Sequence, residues 1–192
     1  MITLFLAYLL VITYMVIGVR LRVGENAHIN AAGEADRHST GRLGRAYGLA
    51  FLLLLVAPLL NYFRTGLWPG SWWFPGWFGI ACMLPGIALR IWSVKVLGRF
   101  YTRTLLTTSD QQVVEEGPYR LVRHPGYAGS LLVWVGAGLA ACNWIVLVII
   151  TLAMGISYAY RMRSEEAMLV DQFGSAYQDY MKRTRRIIPF LY

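Results

Sequence analysis

The sequence is 192 residues long, 57% hydrophobic and 15% charged, with a mean hydropathy of +0.47, a balance that excludes an ordinary soluble domain and points to a bilayer-embedded chain. Its net charge of +8 is met most simply by anionic headgroups, so nucleic acid is not invoked as a partner. Cys82 and Cys142 lie in apolar segments without metal-ligand neighbours and read as small buried hydrophobes.

Residues 2–19 are almost wholly apolar and lack the basic start and small-residue cleavage site of a signal peptide, which predicts a first transmembrane helix. The following loop, 20–45, is rich in Gly and polar residues and is expected to be a flexible connection; its His28 and His38 have no partner at metal-ligand spacing. A second helix is predicted from about Ala46 to Phe63, and a third from Trp73 to Val94, kinked at Pro85, with Arg90 and Lys95 snorkelling to the headgroups. The apolar blocks 126–142 and 144–160 would each be about 25 Å long as helices. Joined, they would far overshoot the ~30 Å hydrocarbon core, so they are expected to break at Asn143 into a tight hairpin, making helices four and five. In this five-helix arrangement every basic residue except Arg64 falls on one side, which sets the N terminus outside and the C terminus in the cytosol. The chain is thus expected to be one all-α integral membrane domain over 1–192, with helices one to three in 1–95 and the chemistry in 96–192.

The stretch GPYRLVRHPGY, residues 117–127, exceeds what membrane punctuation requires. Pro118 and Pro125 each suit the first position of a helix, so Gly117 and His124 mark boundaries. The first-turn amides and dipole of helix four would then offer an anion-binding corner, flanked by the cationic and aromatic surfaces of Arg123, His124 and Tyr127. The same residues would also serve as a plain interfacial anchor. In YAYRMRSEEAML, residues 158–169, Tyr158, Arg161 and Glu165 share one helical face while Arg163 and Glu166 point elsewhere. A hairpin returns this segment to the start of helix four, where Glu165 could bind an ammonium or sulfonium and Arg161 an acidic substrate; the alternative is a membrane exit with solvated charges. In FGSAYQDYMKRTRRIIPFLY, residues 173–192, Gly174 stops a helix. Ser175 and Gln178 are expected to form a capping box, and Tyr177, Tyr180 and Met181 the apolar side of a short interfacial helix. Lys182, Arg183, Arg185 and Arg186 read as lipid-binding.

Taken together, V-x-x-G-x-Y-x-x-x-R-H-P-x-Y (Val114, Gly117, Tyr119, Arg123, His124, Pro125, Tyr127), R-x-x-x-E-E (Arg161, Glu165, Glu166) and the tail T-x-R-x-x-P (Thr184, Arg186, Pro189) resemble the isoprenylcysteine carboxyl methyltransferase family of integral membrane enzymes. The resemblance implies S-adenosyl-L-methionine as cofactor, in a cytosolic-side pocket closed by the C-terminal helices. It implies that Gln111, Gln112, Val113, Val114, Tyr119, His124, Pro125, Gly126, Tyr127 and Glu165 surround the cofactor and that Arg161 is the catalytic residue holding the substrate carboxylate. The family often has His where this chain has Gln111.

Elementary chemistry is compatible with that assignment. The cofactor's carboxylate suits the start of helix four and its ammonium suits Glu165. A carboxylate acceptor needs no strong general base, so positioning and a water-poor pocket supply much of the rate. Gly126, Ala128, Gly129, Gly136 and Ala137 on helix four either leave room for a lipidic acceptor or serve close helix packing. The expected function is O-methylation of a lipophilic small-molecule or prenylated acceptor among membrane lipids, with no nucleic acid and no obligate protein partner. The Arg-heavy, compact chain suggests a prokaryotic cell membrane. Alternatives are a phospholipid N-methyltransferase, an O-methyltransferase of a long-chain phenolic lipid, a sterol-reductase-like enzyme, for which no GxGxxG fingerprint is present, and a non-catalytic membrane module.

Overall fold

The computed structural model describes residues 2–20, 34–68, 73–98 and 113–189. In chain order they form α1 (Ile2–Arg20), α2 (Glu34–Tyr62), α3 (Trp73–Leu97), a 3-10 turn (Gly117–Arg120), α4 (Pro125–Ala140), α5 (Trp144–Phe173) and α6 (Ser175–Arg183). Among the described residues there is no β-strand, only the isolated bridges Leu67 with Asn143 and Val122 with Arg185. Among the described residues four helices are long and apolar enough to cross a membrane: Ile2–Arg20, His38–Tyr62, Phe74–Leu97 and Trp144–Phe173. Their outer faces expose Phe5, Ile12, Leu55, Phe78 and Leu152, side chains that only a bilayer would solvate. The protein is a multi-pass helical membrane protein.

At 16 residues, α4 is about 24 Å long, short of the usual span, and it is the central helix of the bundle. Val133, Trp134 and Ala137 are fully buried. Its contact with α3 is backbone on backbone. A Cβ added to Gly129 would sit 2.6 Å from the Gly86 carbonyl oxygen, and one added to Gly136 would sit 2.6 Å from that of Gly79. Both helices carry these glycines seven residues apart, so matching turns meet along the antiparallel pair. Gly129 and Gly136 are therefore packing glycines and leave no room for a ligand on that side.

The break at Asn143 falls where the sequence predicts, and the structure gives its cause. Asn143 Oδ1 accepts from the Ile145 and Val146 amides at 3.1 and 3.2 Å, capping α5. Its Nδ2 donates to Asn61 Oδ1 and the Thr65 carbonyl, both at 2.8 Å, tying the α4–α5 turn to the end of α2.

Two sequence expectations change. Residues 34–45, expected to be flexible loop, are the first turns of α2; packing against α5, through Tyr47 on Tyr158 and Ser39 and Thr40 on Arg161, overrides the poor helix propensity of Gly41 and Gly44. The fifth helix, as the helical face through 158–169 requires, continues past Tyr160 to Phe173, where Gly174 stops it. The capping box does not form: Gly174, at φ +54, caps α6 without a side-chain hydrogen bond, and Tyr177 and Tyr180 are buried against protein rather than lying on a membrane surface.

Candidate cofactor and acceptor site

Three segments meet where α4 begins: the turn 119–127, the end of α5, and the strap that follows α6. The strap lies beside the turn, its Arg185 and Arg186 carbonyls accepting from the amides of Arg123 at 2.7 Å and His124 at 2.9 Å. Glu166 is the hub. Its Oε1 accepts from Arg123 Nε at 2.8 Å, and its Oε2 from Arg186 Nε and Nη2 at 3.0 and 2.8 Å. His124 Nε2 lies 3.3 Å from Oε1; because a carboxylate only accepts, that nitrogen carries the proton. Arg123 also donates through Nη1 to the carbonyls of Met181 at 3.0 Å and Thr184 at 2.5 Å. Glu166 is 4% exposed and His124 4%, so these are buried, multiply satisfied charges of the kind that break badly when one partner is removed.

This arrangement completes one reading and corrects another. Glu166 does point elsewhere than Glu165, and what it meets there is a buried cluster of cations and not solvent. Arg186, read as lipid-binding, is a Glu166 partner, and Arg183 pairs with Glu115 at 3.0 Å. Lys182 keeps an exposed pair with Asp179.

Glu165 occupies the other side of the helix end. Its Oε2 accepts from the Tyr127 hydroxyl at 2.8 Å, and its Oε1 has no partner among the described residues. The Tyr127 ring stands between those of His124 and Tyr158, with centroids 5.6 and 5.3 Å away. Tyr158 and Tyr47 share a hydroxyl hydrogen bond at 3.0 Å. Arg161, 4% exposed, donates to Ser39 Oγ at 3.3 Å and Thr40 Oγ1 at 3.0 Å. Ser39, Thr40 and Tyr47 are site neighbours that sequence reading missed, because nothing local marks a hydroxyl pair in a segment that reads as loop.

The remaining expected residues are distributed as follows. Gln111 and Gln112 lie outside the described residues. Val113 and Val114 are half-buried on the non-helical approach to Gly117. Tyr119 is buried, its carbonyl accepting from the Tyr180 hydroxyl at 2.8 Å. Pro125 and Gly126 open α4, buried. A Cβ at Gly126 would lie 2.7 Å from Arg90 Nη1. Behind the strap, burial holds the Tyr177 and Tyr180 hydroxyls well above the ordinary tyrosine range, with Glu165 and Glu166 adding to the effect at Tyr177 and Glu115 at Tyr180.

A carboxylate oxygen without a partner among the described residues, beside a row of tilted aromatic rings, suits a ligand ammonium or sulfonium, and a buried guanidinium one helical turn away suits a carboxylate. That donor set fits an amino-acid-bearing sulfonium cofactor and an acidic acceptor side by side.

The sequence comparisons agree with this geometry. The model of the isoprenylcysteine carboxyl methyltransferase (ICMT) family matches residues 79–171. Protein-S-isoprenylcysteine O-methyltransferase A of Arabidopsis thaliana is 31% identical over 150 residues, which cover 76% of this chain and 74% of the relative. A probable protein-S-isoprenylcysteine O-methyltransferase of Oryza sativa subsp. indica is 31% identical over 63% of this chain and 64% of its own length. The solved structure of a eukaryotic intramembrane Ras methyltransferase, ICMT, superposes with a TM-score of 0.67 at 26% identity, over 76% of this chain and 52% of the other. The chain thus spans about two thirds of the rice relative and half of the solved one. With the glutamate pair, the RHPxY turn and the strap brought together on one helical membrane frame, the chain belongs to the isoprenylcysteine carboxyl methyltransferase family.

Proposed function

We propose that the protein is an S-adenosyl-L-methionine-dependent O-methyltransferase that methylates the carboxylate of a lipophilic or prenylated acceptor at the membrane. The observation that carries this is the juxtaposition of Glu165, one of whose oxygens has no partner among the described residues, and Arg161, buried and braced by Ser39 and Thr40. When bound, the cofactor supplies an electrophilic methyl group on a sulfonium. In this reading Glu165 holds the cofactor's ammonium, and Tyr127 orients Glu165 and offers a ring to the apolar part of the cofactor. Arg161 draws the acceptor carboxylate in and aligns one of its oxygens for in-line displacement. The acceptor arrives ionised, so no residue need take its proton. Gln111 to Val114 and the start of α4 complete the cofactor's surroundings. The strap, locked by Glu166, keeps water from the reacting centre. The family relationship supports α4 as a fifth crossing, short because it is enclosed by other helices, with the site and the C terminus facing the cytosol. Calorimetric titration of S-adenosylhomocysteine into the detergent-purified protein tests the reading. Micromolar binding that is lost in Glu165→Ala supports it; no binding by a folded wild type overturns it.

A further inference from the structure

On the outer side of the same helix pair, α2 and α5 enclose a groove of about 290 Å³. Its two ends differ in chemistry. Arg42, Arg45 and Tyr160 line one end, and Ala46, Leu49, Ala153 and Ile156 the other. We propose that this groove is a binding site for an anionic bilayer phospholipid, its headgroup phosphate on Arg42 and Arg45 and one acyl chain lying between α2 and α5.

Charge and depth carry the inference. Arg42 and Arg45 are three residues apart on α2 and so project to neighbouring positions on one side. Among the described residues neither is paired with a carboxylate: the acidic partners are Glu166, Asp179 and Glu115, and they serve other cations. Arg42 is fixed nonetheless, its guanidinium carbon 4.2 Å above the Tyr160 ring. That stacking sets the plane of the fork and leaves its N–H edge for an anion with several oxygens. Both arginines lie within the first two turns or so of the span His38–Tyr62, at headgroup level, while Leu49 and Ile156, 39% and 68% exposed, continue the groove toward the hydrocarbon. A soluble anion would use only the first part and an uncharged lipid only the second; a lipid anion uses both.

The groove is distinct from the site that holds Arg161. Ser39, Thr40 and Tyr47 turn inward from α2 to Arg161 and Tyr158, whereas Arg42, Arg45, Leu49 and Ile156 are exposed on the outer side of the same two helices. A lipid seated there would clamp α2 to α5 and thereby stiffen the inner contacts.

The test is native mass spectrometry and thermal unfolding of the detergent-purified full chain with phosphatidylglycerol, phosphatidylcholine or water-soluble glycerophosphate. Phosphatidylglycerol should bind and raise the melting temperature, phosphatidylcholine should do so far less, and glycerophosphate should not. The exposed double substitution Arg42→Gln, Arg45→Gln should weaken phosphatidylglycerol binding about tenfold or more, and Ile156→Trp, which fills the apolar end, should weaken it with the arginines intact. Lipid-free melting temperatures like that of the wild type establish that both variants are folded. Equal binding of the two phospholipids, binding of glycerophosphate as strong as that of the lipid, or unchanged binding by either variant would overturn the proposal. So would displacement of bound phosphatidylglycerol by a palmitate-like carboxylate in the same concentration range, which would make the groove an acceptor passage instead.

Discussion

Replacing Glu166 separates a structural carboxylate from a ligand-binding one. In Glu166→Ala the guanidiniums of Arg123 and Arg186 and the His124 N–H lose the one acceptor they share, and the Arg123 side chain, 9% exposed, is left buried with a charge that only two carbonyls address. Removing one partner of such a buried pair costs about 3–5 kcal/mol, which for a chain of this size lowers the melting temperature by roughly 6–20 °C. Glu166→Gln keeps the shape and one acceptor but turns an amide donor toward an arginine, and should fall between, at about 1.5–3 kcal/mol. The assay is thermal unfolding in detergent beside S-adenosylhomocysteine titration. The expected pattern is a large stability loss in Ala, a smaller one in Gln, and near-native ligand affinity in whatever Gln variant remains folded. An Ala variant that melts with the wild type but has lost the ligand would refute the reasoning, because it would make Glu166 a ligand contact and not the latch of the strap.

Other expectations follow from single contacts. Gly136→Val places a Cβ 2.6 Å from both the Gly79 oxygen and Met83 Cγ and should cost about 1–3 kcal/mol, whereas Gly155→Ala, which meets nothing within 4 Å, should gain about 0.5–1 kcal/mol; equal shifts in unfolding temperature would contradict the packing assignment. Thr40→Val removes one of the hydroxyls bracing Arg161 and should raise the acceptor KM about 2–10-fold with S-adenosylhomocysteine affinity unchanged; a loss of cofactor affinity instead would move Arg161 to the cofactor. Tyr177 and Tyr180 are held protonated by burial, so they support the fold fully below the unfolded tyrosine value of about 10 and withdraw that support as pH rises above it. Alkaline titration should show their tyrosinate absorbance appearing together with unfolding, and a smooth titration of both in the folded protein would count against their burial.

The parts of the fold legible in the sequence are those written locally. Apolar run lengths gave α1 and α3 to within a few residues, and Asn143 between two apolar blocks marked the start of α5 because its side chain acts on the amides two and three residues on. The start of α2 was not legible: its glycine-rich first turns are held by Arg161, 121 residues away from Thr40 in sequence. At the site, helical spacing grouped Tyr158, Arg161 and Glu165, and the structure indeed sets Glu165 on Tyr127 and Arg161 beside it. The same spacing set Glu166 apart from Glu165 but not what it meets, since what lies against that neighbouring face of α5 is a strap from beyond α6, and a helix's own periodicity is blind to a later segment folding back on it. For the small residues of α4, sequence left two uses open, and only the reciprocal approach of Gly79 and Gly86 decides between them.

The glycine contact between α3 and α4 also governs how the bundle can move. Two helices whose carbonyl oxygens rest against each other's glycines at two points one heptad apart have little side chain at those points to absorb sliding or splaying, so they act as a single stiff plate. The seam between α2 and α5 joins side chain to side chain, with buried Leu54, Ile150 and Met154 in the apolar core and the hydroxyl bonds of Tyr47, Ser39 and Thr40 at its polar end, contacts that can slide, lengthen and re-form singly. Relative motion in the bundle is therefore taken up along α2 before it is taken up between α3 and α4.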